Sequence, residues 1–174
     1  MLINIAGVDS NSELIPPPDD AQIQPNAVDL RVDYIYEMSG RFTLSDNHKE
    51  SRSTRPHEPI AKWDATMGVD VYSWILQPGA YEVQFAGKIQ IAEDEAGWVI
   101  SRSSLIRNGC ILTSGLYDSG YEGHIGGVLY VSGGEFLLEK DTRLGQFLTV
   151  KAESLHQYNG SYGTGSEHDK KYSG

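Results

Sequence analysis

The chain predicts an all-β domain, either a sandwich or a barrel, and three observations carry that expectation. Its apolar runs are short and rich in Val, Ile, Tyr and Leu. Glycine is abundant (19 of 174 residues), and turn signals such as "LQPG" and "SGGE" separate the runs. Several runs alternate apolar with polar residues, the period of a strand with one face in the core.

Taken in chain order, the expected strands are "NAVDLRVDYIYEM", "GAYEVQFAGKIQIA", "GWVIS", "CILTS", "GHIGGVLYVS", "EFLLEK" and "RLGQFLTVKA". In the second, Tyr81, Val83 and Phe85 point to one face while Glu82 and Gln84 point to the other. One short helix is expected at "SSLIRNG", started by Ser103 or Ser104 as a cap and ended by Gly109. Residues 44–62 are polar, charged and nearly free of large apolar groups, and read as a long surface insertion. The barrel or sandwich domain is expected to span 1–156, with a tail over 157–174. Alone, that glycine- and serine-rich tail should be disordered, but its tyrosines suit closure over a ligand.

Composition narrows the function. At 174 residues the chain fits one domain with a sizeable core. Its formal charge of −10 is spread along the sequence, which argues against a nucleic-acid backbone as partner. A small polyphosphate needs only a few local cations and N–H groups, so it remains open. The single Cys110 excludes an intrachain disulfide and a multi-cysteine metal site, and it is expected in the core. No stretch has the length of a membrane span, and "MLINIAGVDSNSELIPPP" lacks the basic start and long apolar segment of a signal peptide. A soluble, cytoplasmic protein without a membrane partner is expected.

Four stretches hold candidate chemistry. In "GLYDSGYEG", Asp118 stands between glycines at a turn, where an aspartate ordinarily caps backbone N–H groups. "SRSSLIRNG" gathers Arg102, Arg107, Ser103 and Ser104 at a helix start, a set that suits phosphate oxygens but equally a capped surface helix. "KDTRLGQFLTV" places Arg143 and Gln146 in an apolar strand, and "NAVDLRV" puts Asp29 and Arg31 on one strand face. No histidine has metal-ligand spacing, so zinc deaminase chemistry is excluded; P-loop and serine-hydrolase motifs are absent too.

Together and in this order, "NAVDLRV", "SRSSLIRNG", "GLYDSGYEG", "RLGQFLTV" and "YNGSYGTG" resemble the five motifs of the trimeric dUTPase and dCTP deaminase superfamily. The likeness runs from about Ile23 to the C-terminus, interrupted by the 44–62 insertion. It implies a distorted β-barrel, a homotrimer with active sites between subunits, and dUTP as substrate. Asp118 matches the aspartate that activates water in the dUTPases. The deaminases carry a catalytic glutamate ten residues further on, where this chain has Val128. Valine neither shuttles a proton nor bonds a cytosine amine, so the resemblance points to dUTP hydrolysis. Gly120 and the R-S-S spelling lie nearer the deaminase branch, while Glu122 replaces the polar or basic residue common in dUTPases and the tail lacks their usual arginine, giving a dUTPase on a deaminase-type framework.

The resemblance also implies roles. Arg102, Ser103, Ser104 and Gln146 would hold phosphate oxygens, and Tyr121 would pack under the deoxyribose. The uracil would lie against Ser114, Gly115 and Tyr117, its edges read by backbone groups, with Tyr162 closing over it. Asp29, Arg107 and Arg143 would support these groups. Mg²⁺ would be held by the substrate phosphates, with no direct protein ligand. The rival readings are a dCTP deaminase, a non-catalytic nucleotide-binding regulator and an all-β structural trimer.

Overall fold

The computed structural model describes residues 9–160 and 162–165. In chain order its strands are β1 (Glu13–Ile15), β2 (Ile23–Gln24), β3 (Ala27–Ser39), β4 (Thr43–Ser45), β5 (His48–Glu50), β6 (Ser53–Pro56), β7 (Ile60–Asp64), β8 (Val69–Leu76), β9 (Gly79–Gln90) and β10 (Glu95–Ser101). Helix α1 (Ser103–Arg107) follows, then β11 (Cys110–Thr113), β12 (Glu122–Val131), β13 (Phe136–Glu139) and β14 (Arg143–Lys151). The expected all-β class holds, and the strands β9, β12, β11, β10, β14 and β3 close into a barrel.

Closure depends on one long strand. The first part of β3 pairs with β14 (Val28 with Phe147, Asp29 with Gln146), and its second part pairs with β9 (Ile35 with Val83). The β3–β9 register slips between Val32 and Tyr34, a bulge that bends the strand from one neighbour to the other. Inward residues fill the barrel: Phe85, Leu112, Ile125, Leu129 and Phe147 are fully buried. Tyr81, Val83 and Phe85 face this core as the alternation requires.

Gln84, on the opposite face, is not solvated: it is 3% exposed. Its amide oxygen accepts from Tyr36 Oη at 3.1 Å, so tertiary packing covers a polar position that alternation alone assigns to water. Burial, with the nearby Glu82 charge, pushes the Tyr36 phenol up to about 12, and it remains a donor at neutral pH.

The 44–62 segment lies at the surface and is built of strands. β4 and β5 form a hairpin, β6 pairs with the end of β3, and β7 joins β8 and β13 in a three-stranded sheet. Arg55 and His57 both bond the Glu37 carboxylate, fixing β6 against β3. Trp74, Leu76 and Leu138 seal the three-stranded sheet onto the core, and the Trp74 indole donates to His57 O at 2.6 Å. Cys110 is buried and free.

The helix start differs from expectation. Arg102, not a serine, is the N-cap residue, and no side chain caps the helix. The Arg102 side chain turns inward, donating from Nη1 to Arg143 O at 2.6 Å, while Ser103 and Ser104 sit exposed in the first turn. At the other end Gly109 takes φ +73°, ending the helix as expected.

Candidate functional site

Asp118 sits on the connection between β11 and β12, which is pinned from two sides. Tyr117 N–H donates to Gly97 O at 2.7 Å, and Gly97 N–H returns a bond to Tyr117 O at 2.9 Å. The Tyr117 phenol donates to Gly126 O at 2.9 Å and accepts from Gly126 N–H at 2.8 Å. Gly126 follows a bulge in β12, where the ladder leaves these groups available. Asp118 is thereby held beside two fixed strands, and Tyr121 N–H donates to Asp118 O at 3.1 Å to close the turn. Gly120, third in that turn, has φ +79°, which glycine adopts without a Cβ penalty.

The Asp118 carboxylate does not perform the capping role a turn aspartate ordinarily has. The residue is exposed, and among the described residues its side chain takes no hydrogen bond or ion pair. It lines a cavity of about 820 Å³, a volume that suits a nucleotide. Gly126, Gly127 and Val128 of β12 form one wall, and Glu82 of β9 stands directly opposite Val128 in the ladder. Tyr121 is buried beneath, edge-on to Tyr117 at 5.1 Å and to Tyr158 at 5.4 Å, with its phenol donating to His124 O at 3.0 Å.

The tail supplies a further wall of the same cavity. Tyr158 N–H donates to Ser119 O and Thr164 N–H to Glu122 O, both at 2.8 Å. Tyr158, Gly160 and Tyr162 line the cavity. The stretch that composition assigns to disorder is thus seated here by backbone bonds and tyrosine packing; residues 161 and 166–174 lie outside the described residues.

A second group gathers around Asp29. Its carboxylate is fully buried; Oδ1 accepts from Gln146 Nε2 at 3.0 Å, and Oδ2 lies 3.4 Å from both Arg102 and Arg143. The β3–β14 register sets Gln146 opposite Asp29, so the strand pairing itself builds this cluster. A buried carboxylate between two guanidinium groups fixes their orientation, and removing it leaves them uncompensated. Arg102, Ser104 and Arg143 line a separate cavity of about 600 Å³ beside α1. Arg107 is exposed in the last helical turn.

Most of the anticipated residues fall into two sets, while Asp29, Ser103, Arg107 and Gln146 line neither cavity. Gly115, Tyr117, Asp118, Tyr121 and Tyr162 share one cavity, whereas Arg102, Ser104 and Arg143 line the other. Ser114 faces neither: its hydroxyl accepts from Val99 N–H at 2.9 Å and donates to Gly115 O at 2.6 Å, bracing the hairpin. Sequence reasoning missed Phe42, just before the insertion, and Arg52 within it, together with Glu82 and His124, all lining the Asp118 cavity. Alternation placed Glu82 on the outer face, but nothing local brings residues 42–54 to that wall.

A family model described as dCTP deaminase-like matches residues 5–151, and the chain belongs to that family. A relative from Halobacterium salinarum named "Probable deoxyuridine 5'-triphosphate nucleotidohydrolase" is 35% identical over 148 residues, covering 85% of this chain and 87% of the relative. A deoxyuridine 5'-triphosphate nucleotidohydrolase from Methanocaldococcus jannaschii is 29% identical over 159 residues, 91% of this chain and 97% of the relative. In fold, the chain is similar to the 2'-deoxycytidine 5'-triphosphate deaminase of Agrobacterium tumefaciens at a TM-score of 0.57 and 14% identity, over 83% of this chain and 45% of that one.

Proposed function

We propose that this protein hydrolyses dUTP to dUMP and pyrophosphate, with Asp118 holding and activating the water that attacks the α-phosphorus. The observation that carries this reading is the Asp118 carboxylate, exposed in a cavity of nucleotide size and without a side-chain partner among the described residues. The names of its relatives support the same substrate. A carboxylate is a weak base at neutral pH, so its contribution is chiefly positional, at about 2.6–3.2 Å from the water. The pinned connection meets that need.

The base lies against Gly115–Asp118, its edges read by backbone groups, while the Tyr121 ring excludes a 2′-hydroxyl. Cytosine inverts part of the uracil hydrogen-bonding pattern, and each buried polar group left unpaired costs about 1–3 kcal/mol. Val128 supports hydrolysis over deamination, because an isopropyl group neither moves a proton nor accepts from an amine. The tail over 157–174 closes the site on the barrel domain of 1–156, with Tyr162 over the base.

Arg102, Ser103, Ser104 and Gln146 bind phosphates from a second copy of the chain, with Arg107 and Arg143 in support. The separation of Arg102, Ser104 and Arg143 from the Asp118 cavity within one chain supports a homotrimer with shared sites. The substrate phosphates would hold Mg²⁺, which would supply charge neutralisation at the pyrophosphate leaving group. Among the described residues no group of three His, Cys, Asp or Glu side chains could hold a metal ion.

Product analysis with Mg²⁺ and dUTP or dCTP tests this reading. We expect dUMP and pyrophosphate from dUTP, and a loss of at least a hundredfold in kcat for Asp118→Asn, the scale on which a positioned base contributes. Uracil nucleotides formed from dCTP would instead establish deamination. No product from either would return the protein to the binding-module reading.

A further inference from the structure

The insertion reaches the tail. Lys49, on β5 of the exposed hairpin, donates from Nζ to Tyr162 Oη at 2.8 Å, and the same ammonium lies 4.7 Å from the centre of the Tyr162 ring. The ammonium thus lies beyond the ring edge, on the hydroxyl of a tyrosine that lines the cavity. Tyr162 N–H is held in addition by the Tyr158 phenol at 3.0 Å.

The hairpin is placed for this contact by its stem. β6 is bonded to β3 from Ser53 to Pro56, and Arg55 and His57 converge on Glu37 at the same junction. From that fixed base the segment sends Phe42, Ser51, Arg52 and Thr54 into the cavity wall. The residues flanking the hairpin and those of the tail are therefore two sides of one mouth, and the Lys49–Tyr162 contact joins hairpin to tail across 113 positions of sequence.

We infer that the β4–β5 hairpin is a clasp for the tail: Lys49 is a positioning residue that holds Tyr162 across the cavity and so retains the bound nucleotide. The inference rests on the reading of this cavity as the substrate site. A surface pair of this kind is modest in strength, so its loss changes retention severalfold and leaves the chemistry in place.

The test uses the full chain as wild type, Lys49→Met, Lys49→Arg and Tyr162→Phe, with two readouts. In steady-state dUTP hydrolysis, Lys49→Met should raise KM roughly three- to tenfold with little change in kcat, and Lys49→Arg should recover most of the loss. Tyr162→Phe, which removes the hydroxyl that Lys49 bonds, should match Lys49→Met. Amide hydrogen exchange over 158–165 in the nucleotide-free protein should quicken in Lys49→Met and stay slow in Lys49→Arg. Unchanged exchange and unchanged KM in Lys49→Met would overturn the clasp. If the wild type fails to turn over dUTP, the functional reading falls, and the exchange data alone decide whether the contact holds the tail.

Discussion

Two carboxylates mark the extremes of environment in this molecule. Asp118 is exposed, and among the described residues no partner meets its side chain. Glu95 is fully buried and accepts from Ser10 Oγ at 2.5 Å, Ser12 Oγ at 2.6 Å, Ser12 N–H at 3.0 Å and Asn11 N–H at 3.2 Å. Burial by itself raises the Glu95 pKa, but these hydrogen bonds outweigh it and hold the carboxyl below its ordinary 4.5. A lowered folded-state pKa means the stabilisation is fully present above the unfolded value and is lost as pH falls through the folded one. Glu95→Gln is therefore expected to cost about 2 kcal/mol near pH 7, with the gap to wild type closing below about pH 4.5. Thermal unfolding of both proteins from pH 7 to pH 3.5 checks this; a gap that stays constant would refute it.

At the scale of elements, the docked tail depends on one glycine. Gly163 is buried with φ +108°, and a Cβ there would stand 2.6 Å from Glu122 O, next to the bond that Thr164 N–H makes to the same carbonyl. An alanine would meet both backbone strain and a backbone clash with no flexible group to yield. Gly163→Ala is expected to release the tail: KM for dUTP should rise about tenfold or more, while the melting temperature of the barrel moves by less than about 2 °C. A variant that melts far lower with unchanged KM would show that this segment serves the barrel instead. Helix α1 teaches the complementary point. Its serines match a capping pattern, yet the buried Asp29 draws Arg102 inward, and the five-residue helix proceeds without a side-chain cap.

For the whole molecule, the division of the anticipated site into two cavities makes a quantitative prediction. If each site joins Asp118 of one copy to Arg102 of another, Asp118→Asn and Arg102→Ala chains are each inactive alone. Co-refolded in equal amounts, random trimers place an intact Asp118 opposite an intact Arg102 in roughly one quarter of sites. About a quarter of wild-type activity should then return, and none should return if each chain holds a complete site. The described residues include no helix long and apolar enough to cross a membrane.

Strand periodicity, glycine-rich turns and the order of five motifs were enough to give the β class, the short helix and the position of Asp118, because these depend on local backbone preference and on short-range pattern. The surface lie of 44–62 was also legible, since a run without large apolar groups has nothing to bury. What the segment touches was not. The Lys49–Tyr162 contact, the covered Gln84 and the Asp29 cluster each join residues far apart in sequence, through the closing of β3 onto both β9 and β14. The turn and its aspartate follow from local sequence; the walls of the cavity and the seat of the tail follow from barrel closure, where packing and hydrogen-bond satisfaction override what each segment prefers alone.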